Sequence, residues 1–407
     1  MCGIEQAHAK TIETGKMRID QRPLQFNSFH LWMPDIFDFK GGIQIYSAFL
    51  LKALQSLRAD ASYTVCLKHD TCPSADVSIL PQTRFHCAGN WPLRLRTFFF
   101  AGQLLGLGLR QRPDLVIATH INFAQAAYWL KRFTGIPYWA VAHGIEAWEI
   151  KSPALQRALH HADKILAVST YTRQRLAEAI QLEPAAIQLL PNTFDAVRFQ
   201  IGPKPAYLLQ RYGLQLDQPI LLTVARLAKD EQYKGYDRML EALPRIRQSV
   251  PNVHYMIAGK GDDKSRIERL VIDLGLQGCV TLTGFVPDDE LCDHYNLCDL
   301  FAMPSKGEGF GIVYLEALAC GKPTLGGNQD GALDALEQGQ LGVLVNPDDV
   351  SEIAQAIVEV LQRRYAHPLL YQPQALRQAV IDRFGFEQFT QTLAGHLRAA
   401  SSAKRVA

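Results

Sequence analysis

Short apolar runs, each followed by a longer stretch of helical spacing, recur along the whole chain. In the first half they are FNSFHLWMP, beginning at Phe26, then YTVCL (63–67), DLVIAT (114–119), YWAVA (138–142), KILAV (164–168) and IQLL (187–190). Such short runs read as buried strands, and the segments between them as helices. The first helix is expected from Ile43 to about Arg58, after a loop at 35–42. A second series follows: ILLTVAR (220–226), HYMIAG (254–259), CVTLTG (279–284), DLFAM (299–303), PTLG (323–326) and GVLV (342–345). Helices are expected between these strands at 236–248, 263–274, 288–297 and 309–320. Strands alternating with helices predict doubly wound parallel sheets. Between the two series lies PNTFDAVRFQIGPKP (191–205), whose three prolines suit a hinge. The expectation is an α/β chain of two Rossmann-like domains, 1–198 and 199–385, facing a central cleft.

Composition narrows the class only slightly. The 407 residues can form two cores of ordinary size, and 48% apolar with 20% charged residues fits a globular enzyme. A net charge of +2 gives no reason to expect nucleic acid. Eight cysteines without CxxC or zinc-ligand spacing read as free thiols of a reducing compartment. The longest uncharged apolar run, Thr97 to Leu109, is too short to span a bilayer, and no signal peptide is visible. A cytoplasmic location is expected. The opening MCGIE is similar to the start of glutamine amidotransferases, whose cysteine is the nucleophile. Nothing downstream matches that domain, so residues 1–24, Cys2 included, read as a partly disordered lead-in.

Ligands of open parallel sheets sit beyond the carboxyl ends of strands, and the densest chemistry lies after DLFAM. There SKGEGFGIVYLEALACGKP (305–323) places glycines at 307, 309 and 311, where a backbone can approach a ligand. Helix starts attract phosphate. Glu308 lies at the mouth of this one and Glu316 about two turns inside. A carboxylate beside an anion is tolerable if it holds uncharged hydroxyls. The pattern therefore suits a diphosphate between two polyhydroxy groups, which describes a nucleotide sugar.

The segment E-G-F-G-x-x-x-x-E-A-x-A-x-G-x-P closely resembles the E-x7-E signature of retaining glycosyltransferase family 4. That resemblance implies the GT-B fold, an acceptor-binding first domain, a nucleotide-sugar-binding second domain, and a last helix, within 386–407, crossing back to the first. It implies that Glu308 holds the donor sugar and Glu316 the ribose, with Gly309, Phe310 and Gly311 beside the diphosphate. The family's R…KG pair occurs as Arg226 and Lys234-Gly235, a clamp for the leaving diphosphate. Ala225 replaces a common glycine and the loop is long, so Lys229 competes with Lys234 for that role.

Other strand ends supply the remaining candidates. Gly41-Gly42-Ile43 lies in the loop that, by resemblance, approaches the diphosphate from the opposite domain. His143, in H-G-I-E, is similar to the family's histidine near the reacting sugar, and His120 ends the neighbouring strand. Glu146 and Trp148 are candidates for an acceptor pocket. Gly259, Gly261 and the stretch around Val286 are assigned to nucleotide recognition, Asn328, Asp330 and Gly331 to the phosphates. Residues 91–112 mix arginines (94, 96, 110, 112) with a broad apolar face. That segment suits either a helix packed before DLVIAT or attachment to the inner membrane surface.

No Asp-x-Asp occurs in the chain, and the cations and helix start are expected to stabilise the leaving group without metal or other cofactor. The expected activity is retaining transfer of a hexose, from GDP-mannose or UDP-glucose, to a glycan or lipid-linked acceptor. The rival readings are a GT-B nucleotide-sugar epimerase and a non-catalytic nucleotide-sugar binder.

Overall fold

The computed structural model describes residues 25–37, 41–71 and 82–403. The lead-in at 1–24 with Cys2, the middle of the 35–42 loop, and Cys72 lie outside the described residues. The first half runs β1 (Ser28–Met33), α1 (Gly42–Leu57), β2 (Ser62–Leu67), β3 (Thr83–Cys87), α2 (Leu93–Gln111) and β4 (Leu115–Ala118). It continues with α3 (Ala124–Thr134), β5 (Tyr138–Ala142), α4 (Pro153–His160), β6 (Lys164–Ala167), α5 (Thr170–Ile180) and β7 (Ile187–Leu189). Its seven strands form one parallel sheet in the order β3-β2-β1-β4-β5-β6-β7.

The second half holds α6 (Ala206–Tyr212), β8 (Ile220–Val224), α7 (Tyr236–Ser249), β9 (His254–Ala258), α8 (Lys264–Asp273), β10 (Val280–Gly284) and α9 (Asp288–Leu297). Then come β11 (Leu300–Met303), α10 (Ile312–Ala319), β12 (Thr324–Gly327), α11 (Ala332–Ala335), β13 (Val343–Val345), α12 (Val350–Leu361), α13 (Pro373–Phe384) and α14 (Phe386–Ala403). Six parallel strands pair in the order β10-β9-β8-β11-β12-β13. In each sheet the strand order reverses once, between β1 and β4 and between β8 and β11. Loops diverge there, and the crevice at the carboxyl ends is where such sheets bind ligands.

The interior strands are mostly apolar because helices cover both faces. Leu31, Trp32 and Met33 of β1, and Phe301, Ala302 and Met303 of β11, have no exposed surface. The edge strand β3, Thr-Arg-Phe-His-Cys, is half-exposed and carries no apolar run, so the hydrophobic pattern did not reveal it.

One continuous apolar cluster extends from the α1 side of the first sheet through Phe194 and Phe199 into α10, α13 and α14. The segment 191–205 has no regular strand or helix. It is nevertheless fastened: the Arg377 guanidinium on α13 donates to the carbonyls of Ala196 and Phe199 and to that of Ala319 at the end of α10. The last helix packs on the first half. Phe389 meets Tyr46 edge-on at 5.6 Å, Phe386 lies 5.9 Å from Phe49, and His396 Nε2 donates to Leu189 O at 2.9 Å. Burying Phe389, Leu393 and Leu397 there is worth roughly 1.5–3 kcal/mol each. The six cysteines among the described residues are unbridged.

Candidate active site

The 304–311 loop leaves β11 at the reversal point and enters α10. The helix begins at Ile312, three residues later than the sequence pattern predicts, because Gly311 has a φ of +88°, in the left-handed region glycine tolerates. The other two glycines correct the reading of an open approach to a ligand. A Cβ on Gly309 would stand 1.8 Å from the His143 carbonyl oxygen, and one on Gly307 would stand 2.9 Å from the Tyr233 ring. Both are held small by the protein's own atoms. Phe310, expected beside a diphosphate, is a buried core side chain packed on Phe384.

Asp330 shapes this loop from beneath. Its buried carboxylate accepts from Ser305 Oγ at 2.7 Å, Glu308 N at 2.7 Å and Ala332 N at 2.9 Å. Burial pushes its pKa up to about 6, and the hydrogen bonds resist that rise. Gly331 N in turn donates to Glu308 O.

Lys234 and Glu308 form an ion pair, each side chain largely enclosed. Burial disfavours the ammonium, yet Glu308, Tyr233 and Glu231 outweigh it, and the Lys234 pKa stands above its ordinary value. Arg226 pairs with Glu231, a buried acid in the 229–234 turn. Two cations and two carboxylates thus sit together at the edge of β8. Lys229 is exposed, with its backbone N–H bonded to Asp262, whereas Lys234 stands against Glu308.

Glu316 is buried in the second turn of α10, where Tyr295 Oη donates to its carboxylate at 2.7 Å. Burial raises its pKa to about 7, and the tyrosine hydrogen bond opposes the rise.

From the first half, the backbone carbonyl of His143 lies against Gly309. The His143 Nε2 donates to the Thr119 carbonyl at 2.7 Å, and Thr119 Oγ1 accepts from Ser47 at 2.8 Å. The Tyr46 ring stands edge-on to the imidazole at 4.8 Å. Burial lowers the His143 pKa to about 4 despite the nearby Glu146, so the ring is neutral at pH 7, with Nδ1 the unprotonated nitrogen. Glu146 accepts from the backbone N–H of His143 at 2.6 Å and closes the turn. His120 likewise caps a short turn, its Nδ1 accepting from Asn122 N. Trp148 packs edge-on to Tyr171, with Arg175 over its face. Gly42 opens α1, four residues before Tyr46, and a Cβ there would meet nothing within 4 Å.

After β9, beside the end of β8, Gly259 has a φ of +149° and its Cβ position is blocked by Ala225 O at 1.8 Å. Gly261 is blocked by Leu227 O at 1.9 Å. Val286 is half-buried beside exposed Phe285, over which Lys260 Nζ stands 4.7 Å from the ring centroid. Asn328 is exposed, with its N–H on Val345 O.

The halves also touch through Asp334, Thr170 and Thr172, which the sequence pattern did not single out. Asp334 accepts from Thr170 N at 3.0 Å at the start of α5, and Thr172 Oγ1 donates to Gly309 O at 3.2 Å. Asp334 follows G-x-x, and Glu231 precedes KG by three residues. Acids beside a motif were the available signal. Among the described residues, no group of three His, Cys, Asp or Glu side chains could hold a metal ion.

Two family models match the chain: "Glycosyltransferase Family 4" over residues 40–198 and "Glycosyl transferases group 1" over residues 208–376. A GDP-mannose-dependent alpha-(1-6)-phosphatidylinositol monomannoside mannosyltransferase of Mycolicibacterium smegmatis is 37% identical over 234 residues. That alignment covers 54% of this chain and 60% of the relative. Among solved structures, sucrose-phosphate synthase from Thermosynechococcus elongatus has a TM-score of 0.75 at 20% identity, covering 93% of this chain and 100% of that one. Anabaena Alr3699/HepE in complex with UDP and glucose has a TM-score of 0.72 at 20% identity, covering 91% and 99%. These structures share the GT-B architecture of two facing parallel-sheet halves.

Proposed function

Because the chain belongs to glycosyltransferase family 4, we propose that it is a retaining, metal-independent hexosyltransferase using a nucleoside diphosphate sugar. The observation that carries this reading is the Lys234–Glu308 pair beyond the carboxyl end of β8, with Gly309, the residue after Glu308, against the His143 carbonyl of the first half. In this reading Glu308 binds donor-sugar hydroxyls, while Lys234 and Arg226 turn from their carboxylate partners to the diphosphate. Fixed cations at the developing negative charge supply the stabilisation a metal provides elsewhere. Glu316, ionised on binding, accepts from the ribose hydroxyls. Neutral His143 offers Nδ1 to a sugar hydroxyl, its other nitrogen being committed to Thr119 O. The acceptor hydroxyl attacks from the face the diphosphate leaves, and a diphosphate oxygen takes its proton.

The donor we favour is GDP-mannose, since the mycobacterial relatives are GDP-mannose-dependent mannosyltransferases. UDP-glucose is the second reading, since the Anabaena protein binds UDP and glucose within the same architecture. The acceptor is a glycan or lipid-linked alcohol, and the protein works in the cytoplasm. The first half, residues 1–198 with α14, would carry the acceptor, and residues 199–385 the donor.

The test is donor hydrolysis and thermal stabilisation by GDP-mannose and UDP-glucose, with EDTA present. Turnover of one donor in EDTA, abolished in Glu308→Gln, supports the reading. Turnover that requires added Mg²⁺ overturns its metal-free form. A product released as a free epimer of the donor would point to an epimerase instead.

A further inference from the structure

The helix α2 is unusual in what it leaves uncovered. Phe100, Leu104 and Gly108 face the protein, and a Cβ at Gly108 would press on Leu130 of α3, so the two helices pack closely there. On the other side Leu95, Phe98, Gly102, Gly106 and Leu109 form an exposed stripe at helical spacing. Phe98 is 77% exposed, and on α3 Phe133 is 70% exposed, stacked with exposed Trp129. Among the described residues, eight of the fourteen exposed large apolar side chains fall within positions 91–133. Apolar surface gathered this way marks an interaction site.

Charge identifies the partner. From Thr83 to Ile145 there are seven lysines and arginines and a single acid, Asp114, a balance of +6 in a chain whose total is +2. Asp114 is turned inward, bonding Asn27 N and Ser28 N. Exposed Arg94, Arg110, Arg112 and Arg132 have no carboxylate partner among the described residues, and no charge lies between Thr97 and Leu109. An apolar stripe framed by arginines suits the boundary between lipid headgroups and acyl chains. A second copy of the same face would oppose arginines to arginines. Among the described residues no helix is long and apolar enough to cross a membrane.

We infer that α2 and the Trp129–Phe133 edge of α3 together form a docking surface for an anionic lipid bilayer. This deepens the proposed function and rests on its lipid-linked acceptor, because the surface belongs to the half that carries His120 and His143. Phe98, Phe99 and Phe133 enter the acyl boundary, and the four arginines lie among the headgroups. The bilayer would then present a lipid-linked acceptor to the cleft without the chain crossing it.

The experiment is co-sedimentation of the full chain with vesicles of phosphatidylcholine alone and of phosphatidylcholine with phosphatidylglycerol. Binding is expected only to the anionic vesicles, weakened by salt, with a blue shift of tryptophan fluorescence. Phe98→Ser with Phe133→Ser, both at exposed positions, should weaken binding by at least about tenfold. Replacing the four arginines by glutamine should do the same. Donor-induced thermal stabilisation should stay at the parent value in both variants, which separates this test from that of the transferase reading. Binding to neither vesicle, or equally to both, overturns the inference. So does a concentration-dependent dimer that the phenylalanine variants abolish, since the face would then be an interface between chains.

Discussion

Lys234 on the β8–α7 loop and Glu308 on the β11–α10 loop neutralise one another at the point where the strand order reverses. Removing one member of a largely enclosed pair strands the other, at a cost of about 3–5 kcal/mol. Lys234→Met should therefore lower the melting temperature, and Lys234→Met with Glu308→Gln should recover most of it. Both proteins should transfer sugar far more slowly, with kcat down roughly 10²–10³-fold. Calorimetry together with steady-state kinetics checks this. A double variant no more stable than the single one would mean that the pair is not the dominant partner of either residue.

Gly309→Ala should be more damaging than its size suggests. The new methyl would collide with His143 O, so the halves must separate or the loop must shift. A displacement of about 1 Å at a reacting centre costs on the order of 10² in rate. Small-angle scattering should report a wider cleft and kinetics a lower kcat; parent values for both would refute the contact's importance.

Asp334→Ala removes the acceptor for Thr170 N at the start of α5. Loss of a helix N-terminal partner costs about 1 kcal/mol. A small drop in melting temperature is expected, with donor turnover altered less than in the Gly309 variant. Asp334→Asn should restore much of the loss.

Glu316 and the histidines give opposing pH dependences. Glu316 has a pKa of about 7 when folded, against an ordinary value of 4.5, so the folded protein binds more protons between those values. Its contribution to stability therefore falls as pH rises from about 4.5 to about 7, and is then level. His143 and His30, lowered to about 4 by burial, bind fewer protons when folded, so their contribution rises with pH between about 4 and 6.5. Melting curves of the parent minus those of Glu316→Gln isolate the first effect. That difference should decline toward neutral pH. A flat difference would mean Glu316 titrates normally.

Most of the architecture was legible because interior parallel strands are short apolar runs, alternating with longer stretches of helical spacing. The run at 299–303 became β11, and the four helices assigned in the second half match α7 to α10 to within three residues. Edge strand β3 escaped because an edge needs no such run. The candidate residues were named from a motif, which says which side chains matter and little about what holds them. Glu231, Asp334, Thr172 and Tyr295 act through partners 5 to 164 positions away in sequence, a relation spacing alone does not encode. Gly307 and Gly309 were expected to give room to a ligand, and the atoms nearest their Cβ positions belong to Tyr233 and His143.

The packing of α14 on α1 sets an order of events during synthesis. Tyr46 and Phe49 leave the ribosome before the second sheet is made, and their partners Phe389 and Phe386 only after it. Until they arrive, the first sheet has an uncovered apolar flank while the whole second half is being translated and can fold. The amino-terminal half is thus the later of the two to be completed, although it is the first to be built.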